Sequence, residues 1–193
     1  METFNFKILN NFRILNDYAL IKYLGTDRIV VIPDGIKEVS HFAFHRDACR
    51  EITEIFIPSS VIELNCPFSH CVNLEKIVVD GCNPSYKIMD NHLYTKDGKM
   101  LVFFVPVKNK KCFEIPVGVT AIESFAFSVC DLDELRIPMS ITDICTSALS
   151  HGRIKRILLD AGNSFYHIRD GQLLDKKNKR VPFSGEAQYF NCK

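Results

Sequence analysis

The sequence predicts a right-handed solenoid, with one short parallel strand per coil on one face, short helical or irregular returns on the other, and inserted β-hairpins. Three observations predict it. First, Ile-Pro-x-x-[Val/Ile]-x-x-hydrophobic occurs four times, starting at Ile32, Ile57, Ile115 and Ile137. Second, apolar residues stand two and five positions before the register residue, as Ile52 and Ile55 do before Ile57 and Leu132 and Leu135 before Ile137, and the spacing recurs without proline before Val79 and Leu159. The six register points 32, 57, 79, 115, 137 and 159 are separated by steps of 25, 22, 36, 22 and 22 residues. Third, a longer period overlies the short one, because Asp80, Asn83, Tyr86 and Leu93 match Asp160, Asn163, Tyr166 and Leu173 at a displacement of 80 residues. Fixed periods of this length mark stacked supersecondary units.

Each element follows from this spacing. Apolar residues alternating toward the register residue demand a strand, and proline after it ends pairing by withdrawing a donor. One strand cannot bury its own apolar face, so stacked neighbours form a parallel ladder over a continuous core, and the crossover rule makes the coil right-handed. The Val, Ile and Ala-Phe positions then carry the chain back along the convex side. The 36-residue step is a hairpin insert over about residues 80–110, in which Asp97-Gly98, between Leu93-Tyr94 and Leu101–Phe103, supplies the positive φ angles of a tight turn and leaves the stack. Asp17, Leu20 and Lys22 echo Asp90, Leu93 and Thr95, so a fainter copy of the insert opens the chain.

The motif Leu-x-x-Ile-x-Ile-Pro-x-x-Val-x-x-Ile-x-x-x-Ala-Phe, with Cys71 or Cys130 just before the next Leu, resembles the BspA-like class of leucine-rich repeat proteins. So does the insert Asp80-x-x-Asn83-Pro84-x-Tyr86 with Leu93–Lys99. The resemblance covers about residues 12–183 of a single domain spanning 1–193. Departures are the shortened Cys66-Pro67-Phe68, the added residues from His45 to Cys49, and Leu149 in place of Phe. The resemblance implies a surface or secreted protein of gut or mouth bacteria, associated with adhesion to host matrix proteins or other cells.

Composition narrows the function. The chain has 193 residues, 47% hydrophobic and 24% charged, enough for one sizeable core or at most two small ones. Its 24 Lys and Arg nearly cancel 23 Asp and Glu, which removes the basic footprint of nucleic-acid binding. No apolar run approaches the 18 or so residues of a membrane span, and Glu2, Lys7, Arg13 and Asp17 interrupt the start where a signal peptide would lie. The chain as given therefore reads as cytoplasmic, and as cell-surface or secreted if it is a fragment of a longer precursor. Eight cysteines without a Cys-x-x-Cys pair are read as thiols in a chain too long and apolar to need staples.

Aligning the strands turns outward positions into columns. Glu54 falls beside Lys76, Lys111 beside Asp133, Asp133 beside Lys155, Glu134 beside Arg156, and Glu114 beside Arg136, which reads as self-neutralised ladders. The column just before the register residues holds Val31, Phe56 and Val78, then Glu114, Arg136 and Leu158. Three consecutive apolar outward residues form a strip that either lies beneath the N-terminal segment or the insert, or binds a partner. The candidate partner-binding residues are Val31, Phe56 and Val78, with Arg136 and Leu158 in the same column.

Hydrolase, phosphate-loop, dinucleotide and zinc-protease motifs do not occur in the sequence, and no catalytic, cofactor or metal residue is assigned. His41, His45 and Cys49 would share one face of a helix, and Cys66, His70 and Cys71 cluster, but repeat position explains both better than metal does. Lys176–Arg180 reads as a solvated hairpin tip. The sequence thus predicts a non-catalytic module binding a protein or glycan. The alternatives are a spacer segment of a longer repeat protein or, more distantly, a thiol- or metal-dependent enzyme.

Overall fold

The computed structural model describes residues 5–41, 43–45 and 47–190. The chain divides into two compact units, Met1–Lys96 and Asp97–Lys193, each with three of the six register points. The first contains β1 (Phe6–Leu9), β2 (Phe12–Leu15), β3 (Ala19–Tyr23), β4 (Ile29–Val31), β5 (Glu38–Val39), the single-turn α1 (Asp47–Arg50), β6 (Glu54–Ile57), β7 (Glu63–Leu64), β8 (Lys76–Val79), β9 (Tyr86–Met89) and β10 (His92–Thr95). The second contains β11 (Met100–Phe103), β12 (Cys112–Glu114), β13 (Ala121–Ile122), β14 (Asp131–Ile137), β15 (Asp143–Ile144), β16 (Arg153–Asp160), β17 (Tyr166–Arg169), β18 (Gln172–Asp175) and β19 (Glu186–Phe190).

The main ladders have the register that the sequence predicts. In the first unit β4, β6 and β8 pair in parallel, aligning Ile29 with Glu54 and Lys76, and Val31 with Phe56 and Val78. In the second, β12, β14 and β16 align Cys112 with Glu134 and Arg156, and Glu114 with Arg136 and Leu158. A fourth strand, β19, extends this ladder and sets Gln188 beside Leu158. The sequence reading treats Phe4, Phe6 and Phe12, and Phe183, Tyr189 and Phe190, as terminal coverings. Phe4 lies outside the described residues; Phe12 and Phe183 are buried, while Phe6 and Tyr189 are each about half exposed. Tyr189 stands outside because β19 is itself a strand of the stack, whose side chains alternate between faces.

The returns are more regular than expected. Apart from α1 they carry a second parallel ladder of short strands. Ala19 aligns with Glu38 and Glu63 in β3, β5 and β7, and Met100 with Ala121 and Asp143 in β11, β13 and β15. Return segments one repeat apart lie side by side, and pairing satisfies backbone groups that would otherwise be buried without partners. For the same reason Leu101–Phe103 does not leave the stack but joins this ladder. The antiparallel hairpins turn elsewhere. β9 and β10 turn at Asp90-Asn91, β17 and β18 at Asp170-Gly171, and β2 and β3 at Asn16-Asp17, all with positive φ. The β2–β3 hairpin is the fainter copy of the insert. Asp97-Gly98 is a turn as expected, with Gly98 at φ 77° and the Lys99 N–H donating to the Asp97 carboxylate at 2.9 Å.

Each unit has an aromatic spine. Phe12, Tyr23, Phe44 and Phe68 follow one another with ring centroids 5.1, 5.8 and 5.8 Å apart. In the second unit Phe104 packs against Phe113 at 4.9 Å and Phe127 at 5.3 Å. Phe127, Ile122 and Leu135 are buried, and Arg136 is exposed, as their repeat positions require. Glu134 departs from the expected exposure. It is only 8% exposed, because Arg136 and Arg156 close over its carboxylate.

Candidate binding surface on the strand face

Val31, Phe56 and Val78 stand side by side on β4, β6 and β8, held there by the parallel register. Val31 is 61% exposed, and Phe56 and Val78 are partly exposed, so among the described residues neither the N-terminal segment nor the insert covers the strip. The strip forms the floor of an open cleft of about 380 Å3. Pro33 and Pro58 continue the apolar surface one outward position further, and Asp34 and Asp80 bring carboxylates to it. These four residues escape the sequence reading, although Asp80 occupies the same column as Pro33 and Pro58 and one further step of the alignment would have found it.

Arg136 and Leu158 lie in the second unit, where the corresponding column sets Glu114, Arg136 and Gln188 beside Leu158. The Arg136 guanidinium donates to Glu134 at 2.8 Å, lies 3.9 Å from Glu114, and sits over the Phe190 ring at 5.8 Å. Leu158 is partly buried beside Gln188. Arg136 is thus engaged within its own unit.

The charged columns hold the ion pairs that the register predicts, with one change. Lys76 pairs with Glu54 at 2.6 Å, Lys155 with Asp133 at 2.7 Å, and Arg156 with Glu134 at 2.9 Å. Lys111, expected beside Asp133, bonds Asp131 instead. A lysine stem spans more than one residue step, and Asp131 on β14 also takes Arg153 at 2.6 Å, making a three-membered cluster. Hydrogen bonds from Arg153 and then Lys111 hold the Asp131 carboxyl well below the usual range. Lys155 lowers Asp133, and Arg136, followed by Arg156, lowers Glu134 against the opposing effect of burial.

The histidine and cysteine clusters do not make the helical face considered above. Helix α1 covers only Asp47–Arg50, so His41 and His45 lie outside it. The structure instead brings the two groups together: the rings of His45 and His70 meet edge to face at 4.6 Å, and Cys49 Sγ donates to the His70 carbonyl at 3.2 Å. Cys71 is buried, and its hydrogen bond with Cys49, followed by burial, raises its thiol well above the ordinary value. Among the described residues no three His, Cys, Asp or Glu side chains are grouped so as to hold a metal ion, and no helix is long and apolar enough to cross a membrane. The described cysteines remain thiols. The Lys176–Arg180 stretch is exposed, and Lys176 covers the Phe165 ring at 3.8 Å.

Comparison with known proteins places this architecture. Two solved structures share the fold. A leucine-rich repeat protein from Eubacterium ventriosum aligns with TM-score 0.50 and 20% identity over 69% of this chain and 48% of its own. The pneumococcal vaccine antigen PcpA aligns with TM-score 0.51 and 17% identity over 67% of this chain and 38% of its own. The chain therefore spans less than half the length of either. No curated protein matches the sequence. The profile of the BspA type leucine rich repeat region (6 copies) matches residues 2–100 and 102–191. Its six copies agree with the six register points, and the match takes in nearly the whole chain: the protein belongs to the BspA-type leucine-rich repeat family.

Proposed function

We propose that this chain is a non-catalytic interaction module that binds another protein through the strand face of its first unit. The observation that carries the reading is the open apolar strip of Val31, Phe56 and Val78, rigidly spaced by the ladder and uncovered among the described residues. An aromatic ring flanked by aliphatic neighbours is the usual energetic anchor of a protein interface, and solenoids commonly bind through such faces. A role in bacterial adhesion is carried over from the family resemblance.

The test compares immobilised wild type with Phe56→Glu against a displayed peptide library. Sequences enriched by wild type and not by the variant, at unchanged melting temperature, support the cleft as the binding site. Equal enrichment would overturn it, and a large fall in melting temperature would show that the Phe56 ring belongs to the core.

A further inference from the structure

We infer that the occupant of the cleft is an extended peptide segment in which two basic residues bracket an apolar one. The inference rests on the cleft being the interaction surface and adds the chemistry of the partner. It comes from a contrast in charge. Along both strand faces the carboxylates of Glu54, Asp131, Asp133 and Glu134 each lie within 2.9 Å of a cation of their own unit. The two carboxylates that line the cleft have no such partner. Asp34 is exposed, with no hydrogen bond or ion pair among the described residues. Among the described residues the Asp80 carboxylate accepts only the Cys82 N–H, at 2.7 Å, and Lys96 donates to the neighbouring Gly81 carbonyl at 3.2 Å rather than to Asp80. Among the described residues no Lys or Arg lines the cleft. An apolar floor with an uncompensated negative rim favours a ligand that brings both an apolar side chain and positive charge.

Geometry sets the spacing of those charges. Asp34 belongs to the first coil of the ladder and Asp80 to the third, with Phe56 on the strand between them. Two strand spacings amount to about 10 Å, which three residues of polyproline II chain also span at about 3.1 Å each, returning side chains i and i+3 to one face. A peptide crossing the strands in this extended form sets basic residues at positions i and i+3 over Asp34 and Asp80, with the apolar residues between them against Phe56. Flexible lysine stems accommodate the offset of one residue along the strands between the two acids.

Fluorescence anisotropy with the full chain tests this, using labelled peptides that carry Lys-Phe-Ile-Lys, Gln-Phe-Ile-Gln or Glu-Phe-Ile-Glu between neutral flanks. The Lys peptide should bind about five- to tenfold tighter than the Gln peptide, as two exposed ion pairs allow. The difference should shrink when salt is raised from about 0.05 to about 0.5 M. Asp34→Asn with Asp80→Asn should abolish the preference while leaving the Gln peptide bound and the melting temperature unchanged, and Asp34→Lys should shift preference toward the Glu peptide. Equal binding of all three peptides would overturn the charge inference while leaving the cleft as a binding site. Binding of none, with enrichment from the library still lost in Phe56→Glu, would likewise overturn this inference alone. Displacement of the peptides by a neutral oligosaccharide, without a preference among them, would assign the cleft to a glycan and overturn it too.

Discussion

Asn83 and Asn163, 80 positions apart, make the same four hydrogen bonds, each within its own unit. The Asn83 amide donates to the carbonyls of Pro58 and Val61 at 2.8 and 2.9 Å and accepts from the N–H groups of Ser85 and Tyr86 at 2.9 and 2.8 Å. Asn163 does this with Pro138, Ile141, Phe165 and Tyr166 at 3.1, 2.9, 2.8 and 2.9 Å. Only an amide offers two donors and an acceptor from one planar group, so asparagine ties the entry of each hairpin to the Ile-Pro turn of the preceding coil. The tyrosines that follow complete the clamp, because Tyr86 Oη accepts the Leu64 N–H at 2.9 Å and Tyr166 Oη the Ile144 N–H at 2.6 Å.

Asn83→Ala should therefore cost about 2–4 kcal/mol, since it strands buried backbone groups that the amide now satisfies. Urea denaturation measures it. A loss below about 0.5 kcal/mol would mean that water replaces the side chain at no cost.

Phe127→Ala should cost about 3–5 kcal/mol, the range for removing a fully buried ring. The ring is 0% exposed and stacks on Phe104. Denaturant unfolding of the variant checks this, and a cost below about 1 kcal/mol would place the ring at the surface.

The acidic side of the stability profile should depend on the β14 carboxylates. Asp131, Asp133 and Glu134 all have pKa values lowered in the folded chain by their cations. A lowered folded pKa contributes stability that is present above the unfolded value, about 3.9 for Asp and 4.3 for Glu, and is lost as pH falls through the folded one. Glu134→Gln should be less stable than wild type at neutral pH, and the gap should close below about pH 4. Melting temperatures at neutral and strongly acidic pH distinguish this from a pH-independent packing defect.

The thiols should separate by burial. Cys82 and Cys112 are exposed, whereas Cys49, Cys71 and Cys130 are buried, and burial together with the Asp131 charge pushes the Cys130 thiol up to about 12. Only a thiolate attacks readily. Brief alkylation of the native protein near pH 8 should therefore label Cys82 and Cys112 well before those three, and unfolding without reductant should expose all eight cysteines to the reagent. Peptide mapping by mass spectrometry reads both steps, and a pair of cysteines protected in the unfolded sample would contradict the second.

The sequence by itself determined the stack. The spacing of Ile32, Ile57 and Val79, and of Ile115, Ile137 and Leu159, fixes which residues share a strand column, because neighbours in a solenoid lie one repeat apart along the chain. Val31, Phe56 and Val78 could be placed on one outward row for that reason, and Phe127 and Leu135 in the core. The tertiary structure alone decided what depends on side-chain reach and on the path between strands. Lys111 goes to Asp131 rather than Asp133, and Glu134 is covered by two arginines, because long cationic stems choose among several acids within reach. The returns pair as a second ladder because adjacent coils bring their backbones side by side. Asp34 reaches the cleft although it stands one residue past the column of Pro33, Pro58 and Asp80, because beyond the ends of β4 and β8 the path of the chain, rather than the pairing register, places a side chain.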